Sequence, residues 1–166
     1  MPLLHVFSLR RVLLAGAPSP MRAAMQAQLQ LLGARPACIP DCLHAESLDR
    51  ALHAGRFSCV IVPDLMMLHP QSDTKRLNAL GNLLGEAREA GVPLVMLLGQ
   101  IHDDETAPLF SHALGMGISG DPLSVQCIRH DGTDKKRICQ EALILGARFL
   151  CGERALTGIF TQFPIA

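Results

Sequence analysis

The densest group of ionisable side chains in the sequence follows the apolar run LVMLLG at residues 94–99. It consists of His102, Asp103, Asp104 and Glu105. Imidazole and carboxylate groups transfer protons or bind cations, and ligands of parallel sheets gather at the carboxyl ends of strands. The cluster therefore predicts an acid/base or cation site in an enzyme with unfamiliar residues. Acidic residues also favour the solvated first turn of a helix, which explains the same cluster without a site.

A second candidate is the turn near the start of the chain. The segment VLLAG at residues 12–16 is typical of a buried strand that ends at Gly16. Met21, Met25, Leu29 and Leu32 then recur at the spacing of one helix face. Nucleotide phosphates often bind backbone N–H groups where a strand passes directly into a helix. This turn therefore predicts a phosphate site.

The cysteines predict neither a metal site nor disulfides. Cys38 and Cys42 have three residues between them, but no second Cys or His pair completes a zinc set. Buried thiols in strands and helices are typical of a reducing compartment. The six are Cys38, Cys42, Cys59, Cys127, Cys139 and Cys151.

Strand and helix patterns alternate along the first hundred residues. A strand is predicted over Arg35–Ile39, a helix over Glu46–Ala54 and a strand over Ser58–Val62. A helix capped by Asp73 then runs to Ala90, and a strand covers Leu94–Leu98. This alternation predicts an α/β fold with a doubly wound, mostly parallel sheet (Rossmann-like) and helices on both faces.

The pattern is weaker after Gly99. We expect one domain over residues 1–166, with residues 1–11 as a lead-in and residues 159–166 as a tail without an element. The elements expected between them are a helix over 103–114, a loop over 115–122, a strand over 124–128, a helix over 133–145 and a last strand over 147–150.

Composition excludes several classes of protein. Hydrophobic residues make up 49% of the chain and charged residues 18%, so it is globular and not disordered. Basic and acidic residues number 15 each, and this neutrality predicts no nucleic-acid partner and favours a homo-oligomer or a partner subunit. No apolar run approaches the ~20 residues of a membrane span, and no secretory signal is recognisable. We therefore expect a cytoplasmic protein without a membrane partner.

Several segments, taken in order, resemble the extended short-chain dehydrogenase/reductase family of sugar-nucleotide epimerases, dehydratases and reductases. AGAPSPMRAAMQAQLQLLG is similar to that family's glycine-rich turn and first helix. DCLHAESLDRAL (Asp41 to Leu52) resembles its acidic residue and the short helix after it. SCVIVPD, which contains Pro63, falls where a family strand leads to the turn over the cofactor. LNALGNLLGEAREAGVPLVMLL (Leu77 to Leu98) resembles a later helix and strand.

The resemblance implies NAD or NADP as cofactor and a nucleotide or nucleotide-sugar as ligand. It places the cofactor at Gly16, Ser19, Met21, Arg22, Asp41 and Pro63. The turn departs from the family, because Ser19 and Arg22 stand where glycines would let the backbone approach a pyrophosphate, and Pro20 removes one N–H donor. We therefore expect weak or absent cofactor binding. Arg22 as a phosphate-binding cation and an ordinary strand–helix turn are the alternatives.

The catalytic residues of the family are also altered. The family uses a Tyr as acid/base and a Lys four residues later, but this chain has no Tyr. RHDGTDKKRICQEAL (Arg129 to Leu143) lies where that pair would be. His130 is the candidate substitute for the Tyr, Lys135 or Lys136 for the Lys, and His102 is the acid/base candidate after the preceding strand. A solvated loop explains His130 equally. We therefore expect a domain without dehydrogenase chemistry.

A signalling domain is the alternative from another class. PSPMRAAMQAQLQLLG and GRFSCVIVPDLMML resemble the first helix and the third strand of a receiver domain, in which Asp64 would be the phosphorylated residue. Gly16 and Ala17, however, stand where a receiver needs acidic ligands for Mg²⁺. Asp64 is also one residue late, so a turn residue after a strand is the other interpretation.

Overall fold

The computed structural model describes residues 6–39, 50–52, 55–65, 74–99, 124–151 and 160–162. Its strands are β1 (Arg11–Ala15), β2 (Arg35–Ile39), β3 (Cys59–Leu65), β4 (Leu94–Gly99), β5 (Ser124–Arg129) and β6 (Phe160–Gln162). Its helices are α1 (Pro20–Leu31), α2 (Thr74–Glu89) and α3 (Lys135–Leu150). No helix in these ranges is long and apolar enough to cross a membrane.

The six strands form one parallel sheet in the order β2-β1-β3-β4-β5-β6. This confirms the predicted α/β class with a mostly parallel sheet. The chain moves from β1 outward to β2 and then returns past β1 to β3. In sheets of this kind, ligands bind outside the carboxyl ends of the strands at which the direction reverses. Here that point lies between β1 and β3.

Both faces of the sheet are covered, which explains why its strands are continuously apolar. Val12 and Leu14 of β1 face α1 and α3, whereas Leu13 and Ala15 face the opposite layer. All four are buried. Fully burying a side chain of this size stabilises a fold by about 1.5–3 kcal/mol. The sheet is therefore the centre of two apolar cores.

The first core lies between the sheet and the α1–α3 layer. Its main helical contributors are Met21, Met25 and Leu29 from α1, together with Ile138 and Leu143 from α3. The second core is formed with α2 and the helical turn at 50–52, through Leu83, Leu84, Ala87 and Leu52. The predicted stripe is confirmed as a core face at Met21, Met25 and Leu29, whereas Leu32 is the C-cap of α1 and is only partly buried.

Helix α3 is on the same face as α1, although β6 lies on the far side of β5. The connection β3–α2–β4 also moves outward along the sheet, but α2 covers the opposite face. The crossover β5–α3–β6 therefore has the opposite hand, an arrangement rare among parallel strand connections. Packing between α3 and α1 accounts for the placement. Gly146 lets α3 approach the sheet closely, because a Cβ there would lie 3.0 Å from the sulfur of Met96 in β4.

Three predictions about elements are wrong. Residues 147–150 form the last turn of α3 and not a strand, because Ala142, Leu143 and Ala147 continue the helical burial pattern. The expected tail contains β6. Strand β3 continues to Leu65, so Asp64 is a strand residue and not a turn residue after a strand.

The remaining element predictions lie wholly or partly outside the described residues. These are the helix over 46–54 (apart from 50–52), the Asp73 cap, the helix over 103–114 and the loop over 115–122. Of the expected lead-in, Val6 and Phe7 are buried in the first core and Arg11 begins β1, while residues 1–5 lie outside the described residues.

Candidate functional site

The candidate site is the carboxyl end of the sheet, where the loops after β1, β3 and β5 begin. These loops carry most of the predicted site residues that the structure describes.

The loop after β1 leads into α1 through a capped helix start. Ser19 is the N-cap, and its hydroxyl accepts a hydrogen bond of 3.0 Å from the Arg22 backbone N–H. Pro20 occupies the first turn, where a missing N–H is tolerated. Ser19 and Pro20 are therefore explained by the start of the helix, without a ligand.

Arg22 closes the same loop. Its Nη1 donates a hydrogen bond of 2.6 Å to the carbonyl oxygen of Gly16. The N–H of Gly16 in turn donates to the Ile39 carbonyl at 3.1 Å. Gly16 has φ of 145°, a conformation that L side chains rarely adopt. The guanidinium thus lies against the turn at which the family resemblance places a pyrophosphate.

Met21 lies in the first core and not at the mouth of the loop. It is 4% exposed, and its sulfur is 3.6 Å from the Cys139 Sγ. Burial raises the pKa of Cys139 to about 12 and also raises the pKa of Cys59. A thiol with a raised pKa is a poor nucleophile. These three residues therefore serve packing and are not available to a ligand at the loop.

The end of β3 is irregular. Pro63 is buried and Asp64 is exposed, and the pairing of β3 with β4 shifts between Val62 and Leu65. Proline has no N–H to donate to a strand ladder, which accounts for an irregularity at this position. The shift leaves the Asp64 carboxylate in solvent at the end of a central strand. Pro63, predicted to contact a cofactor, is buried.

His130 directly follows β5. Its backbone N–H donates to the Gly99 carbonyl at 3.2 Å, which fixes the residue beside the end of β4. Both ring nitrogens are buried, and neither has a hydrogen-bond partner among the described residues. Burial lowers the pKa of His130; Asp131 and Asp64 oppose that shift and Lys135 adds to it. The neutral imidazole is therefore favoured near pH 7.

The residues after His130 form a turn that caps α3. The Asp131 carboxylate accepts hydrogen bonds from the Thr133 hydroxyl at 2.7 Å and the Thr133 N–H at 3.0 Å, and these bonds lower the pKa of Asp131. Asp134 caps the helix by accepting from the Arg137 N–H at 3.1 Å. Lys135 and Lys136 are exposed in the first helical turn. The polar residues Asp131, Thr133 and Asp134 are thus explained by the turn and the start of α3, without a ligand.

The structure brings together only part of the predicted site. His130 experiences the charges of Asp64 and Lys135, whereas Met21 is withdrawn into the core. Asp41 and His102 lie outside the described residues. Among the residues that are described, no three His, Cys, Asp or Glu side chains gather as a metal set. Two features were not predicted from the sequence: the Arg22–Gly16 hydrogen bond and the proximity of Asp64 to His130. The strand order would have predicted the proximity of Asp64 to His130, because β3 and β5 both flank β4.

Comparison with known proteins adds little to this geometry. No protein-family model matches the chain, and no curated protein matches it. One similar solved structure is the solution NMR structure of a de novo designed protein with a P-loop NTPase fold. It is 17% identical, with a TM-score of 0.45, over 87% of this chain and 79% of that chain. The parallel six-stranded sheet, covered by helices on both faces, is a Rossmann-like α/β fold.

Proposed function

We propose that this chain is a non-catalytic Rossmann-like domain related to nucleotide-sugar epimerases and reductases. Its role is that of a partner subunit or weak nucleotide-binding module, without hydride transfer. One observation carries the proposal: the hydrogen bond from Arg22 Nη1 to the Gly16 carbonyl, 2.6 Å long. That bond occupies the turn on which a dinucleotide of this family would rest.

A bound pyrophosphate needs open backbone N–H groups at the start of α1. Here the Arg22 N–H is already bonded to the Ser19 hydroxyl, and Pro20 has no N–H to offer. A ligand must break these bonds before it can form its own, which lowers its net affinity. The loop is therefore stable without a cofactor.

The candidate proton-transfer residues also support a domain without hydride transfer. The sequence contains no Tyr, and His130 is the nearest substitute. Burial disfavours its charged form, and Lys135 and Lys136 are exposed at the start of α3. No described side chain holds the His130 ring in a fixed hydrogen bond. A general acid needs a defined orientation toward its substrate, and this histidine lacks such support.

The test is titration calorimetry of the full chain with NAD⁺, NADP⁺, their reduced forms and nucleotide sugars. We expect no binding, or Kd values of about 1 mM or weaker. Arg22→Gly restores the family residue and should tighten dinucleotide binding. Arg137→Gly is the matched control, because Arg137 stands three residues after its cap as Arg22 does. Micromolar binding or hydride transfer by the unaltered chain would contradict the proposal.

A second candidate is a receiver-like signalling domain. The strand order β2-β1-β3-β4-β5 is that of flavodoxin-like sheets, which include such domains. Asp64 is exposed at the end of β3. Incubation with acetyl phosphate and Mg²⁺, followed by mass spectrometry, distinguishes the two candidates. Incorporation that Asp64→Asn abolishes would favour the receiver-like domain, and no incorporation would remove Asp64 as a phosphoacceptor.

A further inference from the structure

The opposite end of the sheet gathers arginines at the starts of adjacent strands. Arg11 begins β1 and is directly paired with Arg35, which begins β2. The Ser58 N–H donates to the Arg11 carbonyl at 2.9 Å, which brings the residues before β3, including Arg56, next to Arg11. Arg11, Arg35 and Arg56 are all exposed. We call these three residues the arginine edge.

Arg11 is held in place by its surroundings. Its guanidinium carbon lies 4.9 Å from the centre of the Phe57 ring, within the range of a cation–π contact. Gly55 provides the space beside it, since a Cβ on Gly55 would lie 2.7 Å from Arg11 Nη1. The guanidinium fork is therefore oriented before any ligand arrives, which reduces the entropy lost on binding.

The arrangement is electrostatically unfavourable by itself. Paired residues on neighbouring strands project toward the same face, and like charges in such pairs are destabilising. Within the described ranges, no acidic side chain forms an ion pair with any member of the arginine edge. Of the described acidic residues, Asp64, Asp131 and Asp134 lie at the other end of the sheet, whereas Glu86 and Glu89 lie at the end of α2 that leads into β4. An anion bound between the arginines would relieve the repulsion.

We propose that the arginine edge binds an oligophosphate group. Adjacent strands are about 4.8 Å apart, so the starts of β2, β1 and β3 together span about 10 Å, the scale of one small ligand. Arginine forks match the geometry of phosphate oxygens and bind them in a bidentate manner. This site does not involve the loop after β1. Its existence is therefore independent of the function proposed above.

The test is titration calorimetry of the full chain with sodium tripolyphosphate at low ionic strength. The double variant Arg11→Gln/Arg35→Gln should weaken binding by at least about tenfold, because each arginine supplies charge-assisted hydrogen bonds. Lys135→Gln/Lys136→Gln is the matched control, with the same change of charge at the opposite end of the sheet. It should change Kd by less than about twofold. Equal losses in both variants, or none in either, would overturn the proposal.

A variant that leaves the charge unchanged tests the orientation of Arg11. Gly55→Ala introduces a methyl group 2.7 Å from Arg11 Nη1, which must move the guanidinium and should weaken tripolyphosphate binding severalfold. Gly55 has an ordinary φ, so the backbone accepts alanine. If the double variant does not fold, Arg35→Gln and Gly55→Ala decide the question. A single-stranded oligonucleotide that bound more tightly than tripolyphosphate at the same salt concentration would overturn the assignment to a small ligand.

Discussion

The junctions β1–α1 and β5–α3 are built on the same plan, and they differ in how their polar groups are satisfied. Each passes from a buried strand through a short loop to a capped helix. The N-cap side chains are those of Ser19 and Asp134, and each accepts a hydrogen bond from the backbone N–H three residues later. In the first junction, Arg22 returns to the Gly16 carbonyl. In the second, both ring nitrogens of His130 are buried without a partner among the described residues.

The difference shows that helix capping and ligand binding draw on the same few donors. In the first junction the donors are engaged within the loop, so little remains for a phosphate. In the second junction, Asp134 caps the helix and Asp131 stabilises the turn, so His130 is not needed for either. Buried polar groups without partners are costly, which makes His130 the residue whose role most needs an experiment.

The largest expected effects come from the core beneath both junctions. Met25→Ala and Leu143→Ala each remove a fully buried side chain from the first core, and each should lower the free energy of unfolding by about 2–5 kcal/mol. Urea denaturation monitored by circular dichroism measures the change. Leu31→Ala, at a residue 73% exposed, is the control and should change stability by less than about 0.5 kcal/mol. A large loss in the control would show that the exposed end of α1 is itself packed.

The two caps should contribute alike. Ser19→Ala and Asp134→Ala each remove a side-chain acceptor from a helix start, and each should lower the free energy of unfolding by about 1 kcal/mol. The same denaturation experiment tests both variants. A much larger loss for Ser19→Ala would mean that the first loop depends on its cap for more than the start of the helix.

The Arg22 side chain should contribute about as much to stability as a cap. Arg22→Ala removes the bond to the Gly16 carbonyl and should lower the free energy of unfolding by about 0.5–1.5 kcal/mol. Amide hydrogen exchange at Gly16 and Ala17 should accelerate at the same time. Arg137→Ala is the control, and it should leave exchange in the first loop unchanged. Unaltered exchange in Arg22→Ala would contradict the closed loop.

The smallest expected effect is a dependence on pH. The pKa of His130 is lowered from 6.5 in the folded protein, so below about pH 6.5 the unfolded chain takes up a proton that the folded protein resists. The contribution of the neutral histidine is complete above that pH and is lost as the pH falls through the folded pKa. His130→Gln should reduce the loss of stability between pH 7.5 and pH 5.5. An unchanged pH profile would show that the imidazole is freely solvated.

Much of the fold was predictable because local periodicity reports burial. The strand over Arg35–Ile39 and the apolar face of α1 follow from the spacing of their residues. The end of α3 could not be predicted from spacing, because ARFL at residues 147–150 suits either a strand or a helix until its neighbours are known. Strand β6 could not be predicted either, because its three residues form a strand only by pairing with β5.

The candidate site was less predictable than the fold. The absence of Tyr and the presence of Ser19 and Arg22 in the first turn are visible in the sequence. The position of the Arg22 side chain is not visible there. A flexible arginine can extend into solvent, bind a phosphate or fold back on its own loop, and only the packed structure selects among these.

The sequence by itself determined that this chain forms an alternating parallel α/β sheet, because the spacing of apolar residues specifies which surfaces must be buried. Only the tertiary structure decided which charges meet. It closed the first loop through Arg22, placed Asp64 within electrostatic range of His130, and brought Arg11 and Arg35 side by side. The reason is that burial is encoded locally, whereas the distance between two charged side chains depends on strands that are far apart in the chain.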